Sequence, residues 1–239
     1  MFELWRWPGT EYSVHGVFRG GEPSVEMASP AVLDECFCII CLESDPLPIQ
    51  SGCGCRSDSG LAHVTCLVEK AVSQQPHRGY AVWTDCQTCK QEFTGAMKTG
   101  LAEAWWLRMC DQAEECLERL RAAVNLASSR FQEGKYPEAV RIAREVLAVQ
   151  RRVLGDEHPE ALTTAHELAL SLTRQGKYVD AERINREVLD ARRRVLGKEH
   201  PGTLATGSNL ALALSSQGKH IAAERICRQV RTVMHALIP

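Results

Sequence analysis

Four pairs of soft ligands follow one another between positions 38 and 89: Cys38 and Cys41, Cys53 and Cys55, His63 and Cys66, then Cys86 and Cys89. Thiolate sulfur and imidazole nitrogen in sets of four are the donors of tetrahedral zinc, and eight such donors make two closed sites. Closed sites hold structure and leave no open position for activating water, so the spacing predicts two structural Zn2+ ions and no catalytic metal. Cys36 is set aside, because it would leave a gap of four before Cys41. Cys110, Cys116 and Cys227 fall in helical stretches and read as buried free thiols.

Such chemistry needs a reducing setting, and the chain reads that way. The start, MFELWRWPGTEY, lacks a basic stretch followed by an apolar one, so no secretory signal is expected and the compartment is read as cytoplasmic or nuclear. No window is long and apolar enough to predict a membrane span. Apolar residues at 44% and charged residues at 24% exclude wholesale disorder. The net charge of −2 hides two unlike halves: residues 1–116 hold 8 Lys/Arg against 16 Asp/Glu, and the rest hold 20 against 14. Thiolates add further negative charge around the metals, so no nucleic acid is expected on the Cys-rich part, which lacks a basic footprint.

The elements that must carry these residues fall into four stretches. Residues 1–34 mix Gly, Pro, Ser and Glu and read as a flexible lead-in, with Trp5, Trp7 and Phe18 available to dock. Residues 35–95 are loop-rich, as expected of a small fold held by metal. Residues 96–116 read as a linking helix, and from Leu101 a segment free of Gly and Pro, with Trp105, Leu107 and Cys110 in it, runs to Glu133. Residues 117–239 repeat every 42 positions: Gly134, Gly176 and Gly218 recur, and so do Lys135-Tyr136, Lys177-Tyr178 and Lys219-His220. Leu154-Gly-Asp-Glu-His-Pro159 returns as Leu196-Gly-Lys-Glu-His-Pro201. Pro159 and Pro201 suit the first turn of a helix, and the recurring glycines end it. The result is about three helix pairs, with Ala139, Ala181 and Ala223 placed for close helix approach and no polar capping helix after the last pair.

This half resembles a tetratricopeptide array of the longer, kinesin-light-chain type. The resemblance implies an all-α solenoid whose first helices line a concave groove for a protein or peptide partner. By repeat position that groove takes in Arg121, Asn125, Ser128, Thr163, His166, Glu167, Leu170, Arg174, Ser208, Asn209 and Leu212. Amides at the equivalent positions 125 and 209 suit a peptide backbone. The excess of arginine favours acidic targets weakly, since much of it lies on second helices where a solvated face accounts for it.

The Cys-rich part resembles the RING-CH (variant RING, C4HC3) finger. CIICLE, HVTCL and CQTCKQEF match that family's local patterns, and the single-residue gap between Cys53 and Cys55 is similar to its spacing. A PHD finger, a histone-tail reader with the same ligand types, spaces its second pair more widely and carries an aromatic where Thr84 stands, with Trp83 one residue off. The RING-CH resemblance implies a zinc-stabilised cross-brace, with Cys38, Cys41, His63 and Cys66 on one zinc and Cys53, Cys55, Cys86 and Cys89 on the other. It further implies E3 ubiquitin ligase activity, in which the finger binds a ubiquitin-charged E2 and positions its thioester without a nucleophile of its own. Ile40, Trp83 and Lys90 are then the expected E2 contacts. The competing expectation is a non-enzymatic adaptor, or a PHD-like reader carried on a repeat scaffold.

Overall fold

The computed structural model describes residues 36–55 and 60–236. The expected lead-in over 1–34 lies outside them. Strands β1 (Ile49–Gln50) and β2 (Leu61–Ala62) pair antiparallel, with Ile49 opposite Ala62. Helix α1 (Val64–Arg78), a 3-10 turn at Tyr80–Trp83 and helix α2 (Gly95–Met109) follow. Six antiparallel helices complete the described chain: α3 (Leu117–Gln132), α4 (Tyr136–Leu154), α5 (Pro159–Arg174), α6 (Tyr178–Val195), α7 (Pro201–Ser216) and α8 (His220–Ala236).

The repeat punctuation acts as its chemistry dictates. Pro159 and Pro201 occupy the first turns of α5 and α7, where a missing N–H costs no hydrogen bond. The histidine before each proline is the helix cap: His158 Nδ1 accepts from the Glu160 N–H at 3.2 Å, and His200 Nδ1 from the Gly202 N–H at 3.0 Å. Sequence reading saw the Glu-His-Pro recurrence but not this use of the imidazole. Gly134, Gly176 and Gly218 turn the chain with φ between 76° and 79°, in the left-handed region that side chains disfavour. Ala139 and Ala181 are sealed between helices at 1% and 0% exposure.

The expected linking helix over 96–116 needs correction. It stops at Met109, because residues 110–116 form turns although they contain neither Gly nor Pro. The break lets the chain reverse so that Ala102 of α2 packs with Leu120, Ala123 and Leu126 of α3, while Leu107 is left exposed. Nor is α2 a mere link. Its Met97, Leu101 and Trp105 are buried with Cys38, Cys86, Trp83 and Phe93, and Ala122 of α3 joins that same core. One helix thus contributes to both cores, as a repeat helix would.

The last helix also departs from its siblings. Val140, Ala143, Leu147 and Gln150 of α4 are buried, as are Glu182, Asn185, Leu189 and Arg192 of α6. Their α8 equivalents, Glu224, Cys227, Arg231 and Met234, are exposed, so Cys227 is not the buried thiol expected. Two of the four are charged, and Arg231 stands where leucine stands twice before.

Candidate metal centre and repeat groove

The β1–β2 hairpin and α1 draw the four ligand pairs together in alternation. Cys38, Cys41, His63 and Cys66 form one cluster, and Cys53, Cys55, Cys86 and Cys89 the other, with ligand atoms within 4.8 Å of one another in each. Tetrahedral zinc bonds of about 2.3 Å to sulfur and about 2.0 Å to nitrogen place S···S near about 3.8 Å and S···N near about 3.6 Å. Cys55 Sγ and Cys86 Sγ are 3.8 Å apart, and His63 Nδ1 lies 3.3 Å from Cys41 Sγ and 3.6 Å from Cys66 Sγ. The donor sets therefore fit a metal ion each, consistent with zinc.

The surroundings orient the donors. His63 Nε2 hydrogen-bonds the Pro46 carbonyl, which fixes its proton there and leaves Nδ1 free to ligate. The N–H groups of Ile40 and His63 both donate to Cys38 Sγ at 3.4 Å. Burial works against the Cys38 thiolate, but these donors and the Cys41 N–H outweigh it and bring the thiol down to about 6. In the second cluster Cys89 falls to about 6, chiefly through the Gln91 N–H. Cys55 is pushed up to about 12 by sharing a proton with Cys53 first, then by burial. Cys66 is also pushed up to about 12, by burial first and then by its bond to Cys41. Without a cation, neighbouring thiols must share protons, whereas a bound cation favours the thiolate at every position.

Both Cys-x-x-Cys pairs make the same tight turn. The Leu42 N–H donates to the Cys38 carbonyl at 2.9 Å, and the Lys90 N–H to the Cys86 carbonyl at 2.8 Å. The residue after each second cysteine is left-handed, with φ 63° at Leu42 and 61° at Lys90. For a residue with a Cβ that costs about 1–2 kcal/mol. The sequence carries no glycine there to announce it.

Among the expected E2 contacts, Ile40 and Lys90 are exposed, at the tip of one turn and just past the other. Trp83 is not. It is 2% exposed, stacked on Trp105, and its Nε1–H donates to Gln75 Oε1 at 2.6 Å, so it belongs to the core and offers no partner surface. A small depression between the two metal loops and α1 is lined instead by Ile39, Leu67, Lys70, Gln87 and Thr88. Ile39 and Leu42 extend the apolar loop beside Ile40, at 47% and 73% exposure.

The groove residues divide. Arg121 is occupied: it stacks 4.8 Å over Tyr80 and its Nε donates to Glu160 Oε1 at 3.0 Å, making it a strut between the small domain and the second pair of helices. Asn125 is buried and its Nδ2 has no partner among the described residues. Ser128 and Leu170 are half-buried, while Arg174 and Leu212 are exposed. Thr163 and Ser208 turn their hydroxyls onto the Pro159 and Leu204 carbonyls of their own helices. His166 links repeats, with Nε2 3.2 Å from Asn209 Nδ2, and burial followed by the charge of Arg192 lowers its pKa to about 4. Glu167 is pushed the other way, up to about 7, by burial, which the cations Lys98 and Arg192 only partly offset and Glu92 reinforces.

Residues 118–193 and, overlapping them, 160–234 match the family described as tetratricopeptide repeat. This half of the chain is an all-helical tetratricopeptide solenoid, preceded by a small domain whose Cys/His clusters suit metal. Its fold is shared with repeats of a protein that carries a kinesin-light-chain name. A Podosopora anserina protein whose TPR-like repeats, under a kinesin-light-chain name, are described as nearly identical is similar in structure at TM-score 0.53. It is 23% identical and covers 73% of this chain and 87% of its own. A single-site variant of that protein gives 0.54, at 24% identity, covering 73% and 86%. BtubC from P. vanneervenii gives 0.53 at 19% identity, covering 59% and 57%. These likenesses establish a shared fold. No curated protein matches the sequence. No helix among the described residues is long and apolar enough to cross a membrane.

Proposed function

We propose that the protein is a RING-CH-type E3 ubiquitin ligase. It holds two zinc ions, recruits a ubiquitin-charged E2 through the small domain and takes a protein substrate in the repeat groove, in the cytoplasm or nucleus. The observation that carries this reading is the interleaving of the ligand pairs. With Cys38, Cys41, His63 and Cys66 on the first ion and the other four on the second, the metals bring two loops to either side of α1. The depression between them, with Ile39 on one rim and Thr88 on the other and exposed Ile40 next to Ile39 in the chain, suits an apolar loop of a partner. Zinc supplies no bond-making here. It holds the loops so that a bound thioester is oriented, which is catalysis by positioning.

A second reading, a non-enzymatic adaptor, draws on a different observation. The small domain shares its core with α2 and α3, so it serves equally as the cap of the array. Autoubiquitination with purified protein, an E1 and a panel of E2s separates the two. The ligase reading expects ladders that vanish in Ile40→Ala and Cys86→Ser and weaken in Lys90→Gly, which removes the charge while easing the left-handed turn. No ladder with any E2, from protein carrying two zincs, would leave the adaptor.

A further inference from the structure

The open face of α8 is built for a different neighbour than the faces before it. In α6, Leu189 clusters with Leu210 and Leu214 of the next first helix. One repeat later the same position is Arg231, exposed, with no partner for its guanidinium among the described residues. Beside it the Arg228 side chain is 77% exposed and pairs with Glu224, and Met234 is 51% exposed. An apolar first helix laid on this face, as α7 lies on α6, would bury the Arg231 charge unpaired, which is strongly unfavourable. The face therefore calls for carboxylates with a few apolar side chains around them.

The same chain carries that combination at its other end. Leu42, Glu43, Ser44, Asp45, Pro46 and Leu47 form the loop between the first ligand pair and β1. Leu42 and Leu47 are each 73% exposed. Glu43 and Asp45 are exposed too, and neither carboxylate has a partner among the described residues. Residues 37–55 contain no Lys, Arg or His to offset them. The loop is held at both ends: the Cys38 N–H donates to the Glu43 carbonyl at 2.9 Å, and the Pro46 carbonyl is bonded to His63 Nε2. A loop fixed in advance loses little freedom on docking.

We propose that α8 docks the loop 42–47 of a second copy of this chain. Arg228 and Arg231 meet Glu43 and Asp45, and the exposed leucines lie against Met234. Loop and helix are different surfaces, so each copy gives its loop to one neighbour and its helix to another, and the assembly grows as a chain or closes as a ring. The opposite charge of the two halves favours this order, the acidic half of one copy against the basic half of the next. The contact needs neither an E2 nor a substrate.

The test is sedimentation velocity on the full metal-loaded protein over a wide range of concentration, at low and high salt. Three variants run beside it, each checked for unchanged metal content and helical melt. They are Arg228→Glu with Arg231→Glu, Glu43→Lys with Asp45→Lys, and all four changes in one chain. The wild type should grow past the dimer with concentration and fall back in high salt. Each half-reversed chain should associate about a hundredfold more weakly, because like charges then face each other. The chain with all four changes, and an equal mixture of the two half-reversed chains, should regain the association. A wild type that stays monomeric throughout, or no recovery in either rescue, would overturn the proposal. A loop variant that associates undiminished, or a mixture that stops at the dimer, would also overturn it, since α8 would then be pairing with α8.

Discussion

Trp83 of the Cys-rich domain and Trp105 of α2 stack with centroids 5.6 Å apart and planes within 3° of parallel. Tyr80 stacks on the same Trp105 at 5.9 Å, and Gln75 joins the indole N–H of Trp83 to Glu118 of α3. The small domain and α2 therefore share one aromatic wall, which Gln75 ties to the first helix of the first repeat.

Removing the metals should consequently loosen the repeats. Two zinc ions per chain are expected by elemental analysis of the purified protein. Stripping them should lower the melting temperature of the helical signal and shift the tryptophan emission to the red. Trp105→Ala, which empties the wall from the repeat side at a cost of about 3–5 kcal/mol, should conversely weaken zinc retention. An unchanged helical melt after complete chelation would show that the two parts are independent.

Gly100 offers a sign test. Alanine in place of a mid-helix glycine ordinarily stabilises by about 0.5–1 kcal/mol. Here a Cβ would meet Val64 Cγ1 at 2.6 Å, where α1 begins against α2. Gly100→Ala should therefore destabilise in urea titration, and Val64→Ala in the same chain should relieve much of the loss. A stabilised Gly100→Ala would contradict the close approach of the two helices.

Arg121 should act as a strut more than as a ligand contact. Its stack on Tyr80 and its bond to Glu160 join three elements. A double-mutant cycle of Arg121→Ala with Tyr80→Leu should give a coupling of about 0.5–1 kcal/mol, the range for a partly exposed cation–π pair. Peptide affinity should move less than stability does. Additive single losses would refute the strut.

Glu167 gives a pH signature. Its pKa in the folded chain, about 7, lies above that of an ordinary carboxyl, so the folded state holds a proton that the unfolded chain has lost. The stability tied to that proton is fully present below about pH 4.3 and is lost as pH rises through about 7. Glu167→Gln keeps a neutral group there at every pH. The variant should melt higher than wild type at pH 8 and close to it near pH 5, measured by thermal scans in matched buffers. A difference independent of pH would mean that Glu167 is already ionised in the fold.

The ligand types and their spacing made two clusters that suit metal legible from sequence, since only Cys and His in such pairs supply these donors. The 42-residue recurrence likewise announced the helix pairs, because Pro at one end and Gly at the other have few other uses. Which pairs share a site depended on the family resemblance at that stage; in the fold, the β1–β2 hairpin and α1 bring alternate pairs into contact. Trp83 shows why the rest was hidden. The family resemblance implied a surface contact, and only the packing of α2 revealed it as core. Arg121 and Glu167 occupy first-helix positions that repeat arithmetic identifies equally well. One is tied to Tyr80 because the small domain docks on the first repeat, while the other makes no side-chain bond among the described residues, and contacts between residues so far apart in the chain leave no local mark on the sequence.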